Sequence, residues 1–87
     1  MNDNLTALPV LPTLRAGRYR HYKGGKYEVL AVARHSETLE ALVVYRPLAG
    51  DGGWWVRPYP MFVEQVVIDG VARPRFAWLG PAPGPAP

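Results

Sequence analysis

The sequence predicts an all-β protein, a small five-stranded SH3-like barrel with one short helical turn before the last strand. Apolar and polar side chains alternate, across most of residues 15–79, with the period of two that a strand requires. Glycines, prolines and short polar clusters separate these alternating runs. The chain has 87 residues and no cysteine, so a single hydrophobic core without disulfides must hold it together.

The first two strands are predicted to form a hairpin. Residues 17–22 alternate Tyr19 and His21 against arginines, and residues 27–34 are rich in β-branched and aromatic side chains. Residues 23–26 between them read Lys-Gly-Gly-Lys, and a Gly-Gly pair accepts the positive φ angles of a tight hairpin turn. The same four residues lack the spacing of a phosphate-binding loop, so the hairpin is the favoured interpretation.

The later elements follow from polar turns, glycines and prolines. Polar residues 35–38 predict a turn before the third strand, and Pro58 and Pro60 prevent the fourth strand from continuing as a central strand. The predicted ranges are 40–46 for the third strand, 49–53 for a glycine-rich loop, 54–57 for the fourth strand, 61–66 for the helical turn, 69–70 for another turn and 75–79 for the last strand.

Five short antiparallel strands favour a strongly bent barrel, because bending covers most of the strand edges. An OB-type barrel is the second choice, since it usually needs longer strands and a helix between the third and the fourth. The predicted organisation is a flexible N-terminal arm over residues 1–14, the barrel domain over 15–79, and a disordered tail of proline, glycine and alanine over 80–87.

Composition excludes several classes of function. No run approaches the roughly 20 apolar residues of a membrane-spanning helix, and the N-terminus lacks the basic start of a secretory signal. We therefore expect a cytoplasmic location and no membrane partner. The lack of cysteine excludes disulfides and thiolate chemistry, and we expect no metal and no cofactor. A net charge of +3, with all ten basic residues inside 15–79, is a mild surplus.

Several short motifs occur in a fixed order along the predicted domain. They read GRYRHYKGGKY at 17–27, ARHSET at 33–38, VVY at 43–45, WVRP at 55–58, MF at 61–62 and RF at 75–76. Together they resemble the bacterial family called domain of unknown function 1653. The resemblance implies a small SH3-like β-barrel and no particular activity. Two departures are Leu39, where the family turn usually has glycine, and Trp54, beside the family's single tryptophan; a leucine resists positive φ, so this turn is expected to differ in shape.

Basic and aromatic residues give the strongest functional signal. Interleaved guanidinium groups and rings suit single-stranded nucleic acid, and they equally suit an extended protein segment. The sequence therefore predicts a non-enzymatic binding module for one of these two partners. The candidate ligand-binding residues are Arg20, His21, Tyr22, Lys23, His35, Glu37, Tyr45, Trp55 and Arg57. The simpler alternative is that the aromatics form the core: Tyr19, Tyr27, Tyr45, Trp54, Phe62, Phe76 and Trp78.

Two adjacent tryptophans on one strand cannot both point inward. We expect Trp55 to be the exposed one, on the same face as Arg57, although a bulge at Gly53 would expose Trp54 instead.

The two histidines leave an enzymatic alternative open. His35 and Glu37 have the H-x-E spacing of zinc deaminases, but a chain without cysteine lacks the remaining ligands of such a site, and local hydrogen bonds in a turn explain the pair better. The alternative function is an enzyme for a small anionic metabolite, with His21 or His35 as the acid or base and Arg57 as an anion clamp. No residue is assigned as catalytic.

Self-association is a third possibility. The apolar strand that contains Val43 and Val44 could pair with its copy across a two-fold axis, so we expect a monomer or a weak homodimer.

Overall fold

The computed structural model of the protein describes residues 8–50 and 52–83. In these ranges the chain is mostly β-structure with one short helix. The elements are β1 (Gly17–His21), β2 (Lys26–Arg34), β3 (Ala41–Pro47), β4 (Trp55–Pro58), α1 (Tyr59–Val63), β5 (Gln65–Ile68), β6 (Val71–Pro74) and β7 (Phe76–Gly80).

Two antiparallel sheets form from these strands. The larger has the order β4-β3-β2-β1-β7, and β5 pairs with β6 in a separate two-stranded sheet. The mostly-β class is confirmed. The closed five-stranded barrel is not observed, because β4 and β7 form the two edges of the larger sheet and do not pair with each other. Strand β3, which contains Val43 and Val44, lies between β2 and β4 and is not an edge strand, so it cannot pair with its copy in the way that the sequence predicted.

The predicted hairpin between β1 and β2 is present, with a longer turn. Arg20 pairs with Lys26, and the backbone amide of His21 donates to the carbonyl of Gly25 at 2.7 Å. Strand β1 therefore ends at His21, one residue before the predicted end, and Tyr22 belongs to the turn. In a strand, neighbouring side chains point to opposite faces, but a turn residue does not follow this rule. The Tyr22 ring therefore lies beside the His21 ring and not on the opposite face.

The core is a cluster of aromatic and valine side chains on one face of the larger sheet, here called the inner face. Helix α1 follows Pro58, with a proline in its first turn, and contributes Phe62 to this cluster. The Phe62 ring stacks on Phe76 with centroids 4.0 Å apart and planes within 3° of parallel. The buried members are Tyr19, Val29, Val43, Tyr45, Phe62 and Phe76.

The hairpin of β5 and β6 is the element that the sequence did not predict. The helix spans Tyr59–Val63 and not 61–66, because Glu64 already has an extended backbone with φ −66° and ψ 158°. The chain therefore enters β5 at Gln65. The turn predicted at 69–70 is present and joins β5 to β6.

The turn between β2 and β3 contains an unusual backbone conformation. Leu39 has φ +67°, in the left-handed region that favours glycine. Its amide donates to the carbonyl of His35 at 2.9 Å, and the amide of His35 donates to the carbonyl of Glu40 at 2.8 Å. The turn was expected to change shape around leucine. Instead, the leucine adopts a φ suited to glycine.

Residues 8–14 carry no helix or strand, and several of them contact the domain. Arg34 donates to the carbonyl of Pro9 at 2.6 Å, and Leu14 packs against the core. The rest of the predicted arm, residues 1–7, and the last part of the predicted tail, residues 84–87, lie outside the described residues. No helix in the described ranges is long and apolar enough to cross a membrane.

Candidate functional site

Ends of five strands meet on the inner face beside the turn that joins β1 to β2. His21 ends β1, Tyr27 lies near the start of β2, Tyr45 near the end of β3, Trp55 starts β4 and Phe76 starts β7. Neighbouring ring centroids are 4.9 Å apart for His21 and Phe76, 5.5 Å for Tyr27 and Phe76, and 6.0 Å for Tyr45 and Trp55. These strand ends therefore place five rings in one continuous cluster.

The cluster has a buried floor and a more exposed rim. Tyr45 is 4% and Phe76 7% exposed, so both belong to the core. His21, Tyr27 and Arg57 are partly exposed, and Trp55 is 44% exposed. We name the rim residues together with the adjacent Tyr22 the aromatic surface: His21, Tyr22, Tyr27, Trp55 and Arg57.

The floor holds Arg57 in place. Its Nε donates to the hydroxyl oxygen of Tyr45 at 3.3 Å, and its guanidinium carbon lies 5.5 Å from the centre of the Phe76 ring. A cation over the face of a ring is attracted by the π-electron density of that ring. The guanidinium is thus positioned at the rim without a carboxylate partner among its described contacts.

His21 is held by its own turn. Its Nδ1 accepts the backbone amide of Lys23 at 3.2 Å, so the neutral ring carries its proton on Nε2 and can donate from there. Burial lowers the pKa of His21, and the positive charges of Arg75, Arg57 and Lys23 lower this pKa further. Burial and the neighbouring cations therefore both favour the neutral form of the ring.

Two cations lie close to the Tyr22 ring. The Lys23 ammonium is 5.8 Å and the Arg75 guanidinium 5.6 Å from the centre of its ring, and the His21 ring centre is 4.5 Å away. Arg75 also pairs with Glu64 at 2.8 Å, which ties the segment after β6 to the end of α1. The result is an alternation of rings and cations along this end of the sheet.

Trp54 directly precedes β4 and Trp55 begins it, and the two are about equally exposed, Trp54 by 46% and Trp55 by 44%. Trp55 pairs with Tyr45 across the strands and joins the aromatic surface. Trp54 instead packs under the Arg46 guanidinium at 4.7 Å. The prediction that the pair cannot both be buried is confirmed, while Trp54 is not the core residue that the simpler alternative assumed.

His35 and Glu37 lie at the other end of the sheet. They follow β2, whereas Tyr27 is near the start of β2, and nine residues of strand separate the two ends by roughly 25 Å. The Nδ1 of His35 accepts the backbone amides of Glu37 and Thr38 at 3.0 and 3.1 Å. The structure therefore does not bring His35 and Glu37 to the aromatic surface or to His21, and their contacts are those of a local turn.

Arg20 lies between Tyr19 and His21 in β1, so its side chain points to the opposite face of the sheet, away from the core. It lines a surface depression of about 310 Å³ that reaches His21 and Tyr22 from the side of β6 and β7. Among residues 8–50 and 52–83, no three histidine, aspartate or glutamate side chains converge as metal ligands would.

Three residues of this site were missed by sequence reasoning. Tyr27 and Phe76 were considered only as core residues, and Arg75 was not considered as a ligand-binding residue. A usable signal for Tyr27 was its position at the start of a strand that follows the hairpin turn. For Arg75 no such signal exists, because its place beside Tyr22 depends on how β7 returns to β1.

The model of the family described as "Protein of unknown function (DUF1653)" matches residues 17–78. A solved structure is similar as well, the crystal structure of a protein belonging to DUF1653 from Bordetella bronchiseptica, with 36% sequence identity and a TM-score of 0.74. The similarity covers 87% of this chain and 100% of that chain. None of the curated proteins matches the chain.

Proposed function

We propose that this chain, which belongs to the DUF1653 family of proteins of unknown function, is a non-enzymatic binding module that holds single-stranded nucleic acid on its aromatic surface. One observation carries the proposal. Exposed or half-exposed rings of Tyr22, Tyr27 and Trp55 alternate with the cations of Arg57 and of the Tyr22 neighbours at one end of the sheet.

This alternation suits the chemistry of a single strand. Every base has a π-face that stacks on an exposed ring, and each stack contributes about 1–3 kcal/mol to binding. Guanidinium and ammonium groups pair with the phosphates between the bases. The floor of Tyr45 and Phe76 fixes the rim side chains, so little ordering is needed when a strand binds.

The distribution of acidic residues supports an anionic ligand. Glu28 pairs with Arg46 and Glu64 pairs with Arg75, so both carboxylates are neutralised. Glu37 and Glu40 belong to the turn at the far end of β2, and Asp69 belongs to the turn between β5 and β6, at the opposite end of that hairpin from Pro74. Among the described residues, the cations without an acidic partner at the end of the sheet that carries the aromatic surface are Arg20, Lys23, Lys26 and Arg57.

The enzymatic alternative has weaker support. Both histidines use Nδ1 to accept backbone amides, which leaves Nε2 as a proton donor in the neutral ring. A general base needs a free lone pair directed at the substrate, and a pair of acid-base groups must lie within reach of one substrate. His21 ends β1 beside the start of β2, whereas His35 follows the far end of β2. We therefore assign His21 the role of a hydrogen-bond donor to an anion.

A protein segment is the second candidate, and the open edge of β4 favours it. The edge begins at Trp55, so an extended segment added beside β4 would run next to the exposed indole and Arg57. Binding of this kind depends on backbone hydrogen bonds and is much less sensitive to salt than binding through phosphates.

The test is fluorescence anisotropy with a labelled oligothymidylate of about eight nucleotides, within the roughly 4–16 nucleotides that comparable small folds contact. We expect saturable binding that weakens as salt rises. Trp55→Leu should weaken binding by about 5- to 150-fold, the loss of one stacked base. Trp54→Leu is the matched control, since it removes an equally exposed indole that lies outside the aromatic surface, and it should change affinity less than twofold.

Two results would overturn the proposal. One is the absence of saturable binding at low salt by a protein that is folded by circular dichroism. The other is an equal loss of affinity in Trp54→Leu and Trp55→Leu. Salt-independent binding of an extended peptide, with no binding of the oligonucleotide, would establish the second candidate in its place.

A further inference from the structure

A depression lined by two arginines and no acidic residue lies beside the aromatic surface. It is formed where the end of β1 meets β6 and the start of β7, and its volume is about 310 Å³. This lies at the lower end of the roughly 300–1,000 Å³ typical of small-ligand sites. The lining residues are Arg20, His21, Tyr22, Arg73, Pro74 and Ala77, which include two arginines and no acidic side chain.

Neither arginine of the depression has an acidic partner in the part of the chain that the structure describes. The ion pairs there are formed by Arg46 with Glu28 and by Arg75 with Glu64. Arg20 and Arg73 are both exposed and make no side-chain hydrogen bond to a described residue. Two guanidinium groups that face one concavity repel each other unless an anion lies between them.

The backbone holds the two arginines in a fixed relation. Arg20 pairs with Ala77 of β7, and Arg73 pairs with Val66 in the β5–β6 hairpin. The amide of Tyr22 donates to the carbonyl of Arg75 at 2.9 Å, which joins the turn after β1 to the segment after β6. A depression built on paired strands keeps its shape without a ligand, as a preformed site does.

We infer that this depression is a phosphate-binding site, in which Arg20 and Arg73 pair with the anion and the Nε2–H of His21 donates to it. Guanidinium groups match the oxygens of a phosphate with two parallel hydrogen bonds each. Pro74 and Ala77 have no side-chain donor or charge, so Arg20, Arg73 and His21 are the side chains of the lining that suit an anion best. The inference rests on the proposed function only for the source of the phosphate, which we take to be the backbone of the bound strand.

The position of the site gives a path for the strand. His21 and Tyr22 border both the depression and the aromatic surface. A strand whose bases stack on Tyr22, Tyr27 and Trp55 would thus place a phosphate in the depression at the Tyr22 end. The contact should appear in the salt dependence of binding as one neutralised phosphate, shared by the two arginines.

The first measurement is the slope of log affinity against log salt for the labelled oligothymidylate. Each neutralised phosphate contributes about −0.7 to the slope for a single strand. Arg20→Gln and Arg73→Gln should each reduce the magnitude of the slope by part of that amount, and the double variant should reduce it by about the whole amount. Arg34→Gln is the charge-matched control, because Arg34 ends β2 at the far end of the sheet, and it should leave the slope unchanged.

The second measurement uses inorganic phosphate and the full chain labelled with ¹⁵N. Amide resonances of Arg20, His21 and Arg73 should shift with phosphate at constant ionic strength, and chloride should not reproduce these shifts. The pKa of His21 should rise when phosphate is present, because a nearby anion favours the protonated ring. The double variant should lose the phosphate-dependent shifts.

The outcomes separate this inference from the proposed function. Oligonucleotide binding with an unchanged slope in the double variant, and no phosphate-specific shifts, would overturn the site and leave the proposed function intact. Phosphate-specific shifts without any oligonucleotide binding would support the site and overturn the proposed source of its phosphate. Shifts that chloride reproduces would overturn the site.

Discussion

Leu39 gives a prediction whose sign is opposite to the usual one. At most positions, replacing a residue by glycine costs more than replacing it by alanine, because glycine loses about 0.5–1 kcal/mol more backbone entropy on folding. At φ +67° the order should reverse, since a residue with a Cβ pays about 1–2 kcal/mol for the left-handed conformation. Both variants remove the same side chain, which is 40% exposed, so its packing cancels in the comparison.

The difference between these two contributions is the expected effect. Leu39→Gly should be more stable than Leu39→Ala by roughly 0.5–1 kcal/mol, or about 4 °C in melting temperature for a domain of this size. Urea unfolding followed by tryptophan fluorescence measures this difference directly. The free energy of unfolding should depend on urea concentration with the same slope in both variants, which shows that they unfold alike. A Leu39→Ala protein as stable as Leu39→Gly would show that the turn does not hold residue 39 in the left-handed region.

Three further predictions concern the core, the start of β1 and pH. Phe62→Ala should cost about 3–5 kcal/mol in urea unfolding, because Phe62 is 1% exposed and is the only buried residue of α1; a loss below about 1 kcal/mol would show that the helix does not cover the sheet. Gly17→Ala should cost about 2–4 kcal/mol, since a Cβ there would lie 2.5 Å from the Gly80 carbonyl oxygen, and Gly24→Ala, where space is open, should cost less. The pKa of His21 is lowered in the folded protein, so the folded ring stays neutral at pH values where the unfolded chain is already protonated. The free energy of unfolding should therefore fall as pH drops from about 7 through the unfolded pKa of about 6.5. This dependence on pH should be weaker in His21→Gln, and an equal dependence in both proteins would contradict the lowered pKa of His21.

Local pattern predicted the elements with clear alternation or clear turn chemistry. The hairpin of β1 and β2 follows from a Gly-Gly turn between alternating runs, and the turn at 69–70 follows from Asp69 and Gly70. The hairpin of β5 and β6 was missed because Val66, Val67 and Ile68 form a short continuous apolar run that has neither a strand nor a helix period. Whether a five-stranded sheet closes depends on the twist and on the pairing of its edge strands, which no local pattern encodes.

Four of the five residues of the aromatic surface could be predicted from sequence: His21, Tyr22, Trp55 and Arg57. His35 was predicted to belong to the same site because histidine was selected for its chemistry, without regard to which end of the sheet it occupies. In an up-and-down sheet, successive turns lie at opposite ends, so the turn after β2 could not join the turn after β1. The approach of Arg75 and Arg73 to this end depends on long-range contacts of β7 with β1 and could not be predicted.

The most direct test of the aromatic surface is amide chemical-shift mapping of the ¹⁵N-labelled chain with the short oligothymidylate, at low and at moderate salt. We expect shifts confined to residues 20–27, the Trp55 backbone and indole, Arg57 and residues 73–77, and we expect them to shrink as salt rises. Residues 35–40 at the far end should not respond. Shifts centred on 35–40, shifts spread evenly over both ends of the sheet, or no shifts at all would contradict the account.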